Sequence, residues 1–148
     1  MSQFDPDTFL DTSTEKANET VYTPVPEGDY QAMVLKVEGR SANESPLLDV
    51  TFEILDEEIK KTMDQETVTV RSSIFLDLDD NGMLSFGMNK NVRLGKLRDA
   101  LGQNKDGKPW MPRQLEGAGP LMINVTQRPD KNDSSIIYND VRKFAPMK

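Results

Sequence analysis

Between Leu48 and Ile54 the chain alternates strictly. Leu48, Val50, Phe52 and Ile54 are apolar, while Asp49, Thr51 and Glu53 are polar. Successive side chains of a strand point to opposite faces, so this segment reads as a half-buried strand. A second run repeats the pattern. Val68, Val70, Ile74, Leu76 and Leu78 share one face, with Ser72 between them. Thr67, Thr69, Arg71, Ser73, Phe75 and Asp77 take the other face.

The rest of the chain fills in around these two runs. Val25-Pro26-Glu27-Gly28 is a turn signal, and Tyr30 to Val37 reads as a first strand, apolar on both faces. Asp56 to Glu66 is rich in both charges and reads as a short helix or a long hairpin tip. Asn81-Gly82 turns the chain after the third strand. Asn89 or Asn91 can cap a helix running to about Leu101, where Gly102 supplies a stop. Leu94, Leu97 and Leu101 form its buried stripe, and Lys90, Arg93, Lys96 and Arg98 its polar side. Gln103 to Pro112 is a loop carrying Trp110, and Leu115 to Pro120 a turn. Leu121 to Thr126 and Ile136 to Phe144 are the last two strands, joined by a polar tip from Arg128 to Ser135.

The order is β-β-β-α-β-β. No strand–helix–strand repeat occurs, which argues against a parallel α/β sheet. Val34, Val50, Phe52, Val70, Ile74, Ile123 and Val141 are the expected core, with the helix stripe plugging one end of a barrel.

Charge divides the chain unevenly. Residues 1–29 carry seven acids and one base, a net of −6, out of −7 for all 148 residues. From residue 105 on, eight bases face five acids, a net of +3. Residues 1–24 therefore read as an acidic arm with too little apolar area to fold alone, and 25–148 as one domain. The arm is either a disordered or loosely docked terminus or a segment that covers a basic groove or recruits a partner.

Several chemistries are excluded by residue type. With no Cys and no His, disulfides, thiol nucleophiles and the commonest zinc ligands and general bases are missing. Asp77-Leu-Asp79-Asp-Asn81-Gly82 begins like a calcium loop, but Met88 stands where the bidentate Glu is needed. Gly95-Lys96 lacks the earlier Gly and following Ser or Thr of a phosphate loop. Asp56, Glu57 and Glu58 lie in a charged stretch with no apolar surroundings to raise a pKa. The four Asn-X-Ser/Thr matches, at Asn18, Asn43, Asn124 and Asn132, come with no secretion signal, and no apolar run is long enough for a membrane span. A non-enzymatic chain without metal or cofactor is expected.

Arg71 and Phe75 lie four apart on the strand face opposite the core. A solvent-facing Phe beside an Arg suits stacking on a base while neutralising a phosphate; the alternative is a Phe75 covered by the charged stretch after the second strand or by the arm. Arg128, Lys131, Tyr138, Arg142, Lys143 and Phe144 interleave bases and aromatics in the same way. The candidate DNA contacts are Arg71, Phe75, Trp110, Arg128, Tyr138, Arg142 and Lys143.

Three strands, a helix and two strands is also the order of an OB-fold, a five-stranded Greek-key barrel with its helix between strands 3 and 4. Val25-Pro-Glu-Gly-Asp-Tyr30, Leu48-Asp-Val-Thr-Phe-Glu-Ile54, Leu94-Gly-Lys-Leu-Arg-Asp-Ala-Leu-Gly102, Leu115-Glu-Gly117 and Asn139-Asp-Val-Arg-Lys-Phe-Ala-Pro146 occur in this order. Together they resemble a family of small bacteriophage single-stranded DNA-binding proteins, long catalogued as a domain of unknown function. The resemblance spans about residues 25–146. It implies an OB-fold-like domain that protects phage replication and recombination intermediates in the cytoplasm of the bacterial host. It carries over no fixed contact residues. Many such binders end in an acidic partner-recruiting tail, whereas this chain ends Phe144-Ala-Pro-Met-Lys148. The N-terminal arm would then be what meets replication or recombination proteins. The alternative is a β-barrel protein–protein module, a recombination accessory or small virion protein.

Overall fold

The computed structural model describes residues 3–147; Met1 and Ser2, at the tip of the arm, and Lys148 lie outside the described residues. Five strands build one antiparallel sheet: β1 (Gly28–Ala42), β2 (Ser45–Ile54), β3 (Val68–Phe75), β4 (Leu121–Pro129) and β5 (Ile137–Pro146). Their order across the sheet is β3-β2-β1-β4-β5. The helices are short: α1 (Pro6–Phe9), α2 (Glu57–Met63) and α3 (Val92–Ala100), with a 3-10 turn at Pro112–Leu115.

β1 holds the two halves together. Gly28–Ala32 pairs with β4, and Ala32–Ala42 pairs with β2. Its register with β2 slips between Val34 and Lys36, so Leu35 is an extra, bulged residue that increases bend and twist. Past that point β1 has left β4, and the loop before β4 serves its backbone instead. Val34 N–H donates to the Ala118 carbonyl (2.9 Å) and Gly117 N–H donates to the Val34 carbonyl (2.8 Å). Gly119 in this loop has φ +135°, and a Cβ there would lie 3.2 Å from Met33 Cα. Both the dihedral and the space require glycine.

The inner face is apolar, as the alternation requires. All seven expected core residues are buried, Phe52, Val50 and Ile74 completely. The charged stretch after β2 resolves as the helix α2. Asp56 Oδ1 accepts from Glu58 N–H (2.9 Å) and Ile59 N–H (3.2 Å), satisfying donors that the helix itself leaves free.

Local detail differs from the expectations at several points. Ala100, with Leu94 and Leu97, completes the buried stripe of α3, because the helix ends there. Leu101 is the C-cap, with non-helical φ and ψ, and is half-buried. Asn91 stands at the N-cap but makes no side-chain cap bond. Its Oδ1 accepts from Asp77 N–H (2.8 Å), and its Nδ2 donates to the Asp77 and Ser85 carbonyls (2.8 and 3.0 Å). It ties down the loop after β3 instead. β3 stops at Phe75, and beyond it Leu78 keeps an isolated bridge to Leu84 around Asn81-Gly82. In that turn Asp79 Oδ1 accepts from Asn81 and Met83 N–H groups (2.9 and 3.0 Å). β4 runs three residues past Thr126, and β5 starts at Ile137 and reaches Pro146.

Residues 3–23 are exposed, and Val25 is the first buried side chain. Asn139 of β5 holds Val25 from both sides. Its Oδ1 accepts from Val25 N–H (2.8 Å) and its Nδ2 donates to the Val25 carbonyl (2.9 Å).

Candidate nucleic-acid interface

β3 and β5 are the edges of the sheet. Their Cα atoms come within 8 Å without forming a ladder. Edge carbonyls left unpaired at such a seam need donors. Arg93 of α3 supplies them. Its guanidinium donates to Ser72 Oγ of β3 (2.8 Å), to the Val141 carbonyl of β5, and to the Arg142 carbonyl (3.3 Å). It also lies 4.7 Å from the centroid of the Phe144 ring. Burial lowers its pKa. The sequence reading placed Arg93 on the polar side of the helix. It instead flanks the buried stripe, four residues before Leu97, and turns into the seam.

Beside the seam opens a cleft of about 560 Å³, whose lining includes Arg71, Arg93, Arg128, Tyr138, Asp140 and Arg142. The lining thus carries four guanidinium groups and one carboxylate, on a chain of net charge −7; outside the lining, the charge of Asp130 also acts on Arg128, and Arg71 acts on Asp49. Arg128 Nε donates to Asp140 Oδ2 (2.9 Å), and this hydrogen bond, with the carboxylate charge, raises the Arg128 pKa. The same guanidinium lies 5.3 Å from the Tyr138 ring centroid. Tyr138 O–H donates to Asp130 Oδ1 (3.1 Å), which raises the phenol pKa and fixes the ring's outer end. Among the described residues the guanidinium groups of Arg71 and Arg142 make no hydrogen bond or ion pair. They are the cations available to an incoming anion.

Four of the seven candidate residues therefore meet: Arg71, Arg128, Tyr138 and Arg142. Phe75 lies on the same face of β3, 61% exposed and outside the cleft lining. Four residues of strand place it about 13 Å from Arg71. Lys143 goes elsewhere. Asn124 pairs with Lys143 and Val125 with Val141, so Arg142 is a bulged extra residue. Lys143 lines a separate hollow with Asp29, Met122 and Asn124. Trp110 also stands apart, packed against the core. Arg98 covers one face of its ring at 4.0 Å, and its Nε1–H donates to Gln103 Oε1 (2.8 Å).

The outer face holds a second ion pair that the sequence reading did not single out. Arg40 Nε donates to Asp49 Oδ2 (2.5 Å) and Ser73 Oγ donates to Oδ1 (2.6 Å). No local signal marks the pair, because Asp49 occupies a regular polar position of the alternation, like Thr51 and Glu53. Burial pushes the Asp49 pKa up, but the hydrogen bonds from Arg40 and Ser73, with the charges of Arg40 and Arg71, outweigh it and leave the pKa lowered. A folded-state pKa below the unfolded one stabilises the fold above the ordinary carboxylate range. That contribution is lost as pH falls through the lowered value. Asp49→Asn is expected to cost about 1–2 kcal/mol at neutral pH and to flatten the acid limb of stability against pH. Melting curves from pH ~2 to ~7 check it; an acid limb identical to the parent's would assign that slope to other carboxylates.

No family model and no curated protein matches this chain.

Proposed function

We propose that this chain binds single-stranded DNA across the β3–β5 cleft, and that its sheet is a partly open barrel of the OB type. The observation that carries the binding reading is the convergence of Arg71, Arg93, Arg128 and Arg142 on one cleft whose lining holds a single acid, in an otherwise acidic chain. Arginines so placed can track phosphates, while Tyr138 and Phe75 offer aromatic faces to bases.

Topology supports the barrel reading. Joining the edge β5 to the edge β3 would give the circular order β1-β2-β3-β5-β4, which is a Greek key. In OB-folds the face of strands 2–3 and the loops between strands 1–2 and 4–5 bind oligonucleotides. Here Arg71 and Phe75 project from the outer face of β3. Arg128 and Tyr138 flank the loop between β4 and β5, opposite each other in register. Stacking and ion pairing break no covalent bond, so the reading calls for no metal or cofactor. With the resemblance to phage proteins, it makes the chain a protector of replication or recombination intermediates.

Fluorescence anisotropy with a labelled oligonucleotide of about 20 nucleotides, longer than one OB-fold's usual site, tests the reading. Single strands should bind more tightly than duplex. Three or four phosphate contacts predict that affinity falls roughly 20- to 50-fold between ~50 and ~200 mM salt. An undetectable anisotropy change at low salt would overturn the reading and favour the protein–protein module.

A further inference from the structure

The loop after β3 and the loop after α3 enclose a second hollow, of about 650 Å³, on a different part of the surface. Leu78, Met83, Phe86, Trp110 and Met111 line it. Phe86 is 80% exposed and Met83 66%, and Met88 beside them is exposed as well. Large apolar side chains gathered in one patch mark a contact surface rather than ordinary scatter. Its lining also carries Arg98, Lys105 and Lys108 against one acid, Asp106. The hollow therefore suits a ligand that is both apolar and anionic.

The N-terminal arm has that chemistry. Phe4, Phe9 and Leu10 are all more than half exposed, and the two rings stand 5.5 Å apart across α1. Asp5, Asp7 and Asp11 alternate with them along the chain. Asp5 caps the helical turn, accepting from the Asp7 and Thr8 N–H groups (3.0 and 3.3 Å). The turn thus presents an aromatic pair among carboxylates. The arginine cleft is a poorer seat for this pair, because only Tyr138 and Val141 of its lining are apolar, among four guanidinium groups and Ser, Asn and Asp side chains. Two rings there would desolvate charges for less apolar contact than the Phe86–Trp110 hollow offers.

We propose that the segment Phe4–Leu10 of one copy docks into the Phe86–Trp110 hollow of a second copy. Within a single chain both surfaces remain in water, since the same structure leaves Phe4, Phe9 and Leu10 as uncovered as Phe86 and Met83. The two surfaces are unlike, so the contact is heterologous. It joins copies head to tail in a series, or in a two-fold pair where two copies exchange arms. Charge complementarity steers the encounter, and burial of the two rings holds it. The proposal does not depend on the DNA reading, because neither surface contributes to the arginine cleft.

Sedimentation velocity of the full chain, from low micromolar to several hundred micromolar, tests it. The weight-average mass should rise from 16.7 kDa to at least double that value, and less steeply at high salt. A Phe4→Ser, Phe9→Ser chain and a Met83→Ser, Phe86→Ser chain should each stay monomeric. All four positions are exposed, and thermal melts establish that both variants fold. Mixed in equal amounts, the variants should form a heterodimer and nothing longer, because one retains the hollow and the other the arm. Trp110, the single tryptophan, should shift its emission to the blue on assembly. A parent chain that stays monomeric throughout would overturn the proposal. So would variants that assemble like the parent, or a mixture that stays monomeric. A monomeric parent whose Trp110 emission responds to the arm substitutions would place the arm on its own chain instead.

Discussion

Replacing Arg71 and Phe75 together by alanine is expected to weaken single-stranded DNA binding by about 2–3 kcal/mol, roughly 30- to 150-fold. Both side chains leave the outer face of β3, where the strict alternation of buried and exposed positions holds them away from the core. Their removal should therefore leave the fold intact. The two effects are separable. One base stacked on an aromatic ring is worth about 1–3 kcal/mol and does not depend on salt, so Phe75→Ala should lower affinity at every salt concentration alike. Arg71→Ala removes one phosphate contact and should reduce the salt slope by about 0.7. Arg142→Ala should reduce it by a similar amount, because Arg142 faces the same cleft. Lys143→Ala should leave the slope at the parent value, because Lys143 lies in the other hollow. Anisotropy titrations at several salt concentrations measure the double variant and the four single ones. Equal losses for Arg142→Ala and Lys143→Ala would mean that general charge, not the cleft, attracts the strand.

Arg93→Ala is expected to be the most damaging substitution outside the apolar core, costing about 2–4 kcal/mol of stability. It deletes donors to Ser72 and to the Val141 and Arg142 carbonyls. Ser72 and Val141 are buried, so their oxygens would lose a partner where water does not readily replace it. For a chain of this length the loss corresponds to a melting temperature lower by roughly 5–15 °C. Arg93→Met keeps an unbranched apolar stem but removes the guanidinium, including its contact over Phe144, so its difference from Arg93→Ala measures the stem's share of the cost. Hydrogen exchange gives the local readout. Amides near Ser72 and Val141 should lose protection before those of the β1–β2 hairpin, which has its own ladder. A melting temperature within the error of the parent's would show that the seam is held by the packing of α3 alone.

Much of the scaffold was legible in the chain. Strand alternation is a local property, fixed by the opposite orientation of neighbouring side chains, so β2, β3 and their inner faces could be read residue by residue. The exposure of Arg71 and Phe75 follows from the same rule. Turn and stop residues such as Asn81-Gly82 and Gly102 act over a few bonds and were equally readable. The acidity of the arm needed only counting.

What escaped the linear reading depends on residues far apart in sequence. Arg142 and Lys143 are neighbours that look alike and both stay exposed across one bulged position, yet one lines the arginine cleft and the other a separate hollow. Arg93 looks like any charged residue on a helix until two sheet edges approach and leave carbonyls that need a donor. Asn91 looks like a cap until Asp77 and Ser85 are brought beside it. Trp110 shares its residue type with a stacking platform, but Arg98 and Gln103 commit it to a different hollow. Orientation along a strand or helix is set by bonds and sterics within a few residues. Which edges meet, and which side chain then fills the gap, is set by packing between segments that no local pattern records.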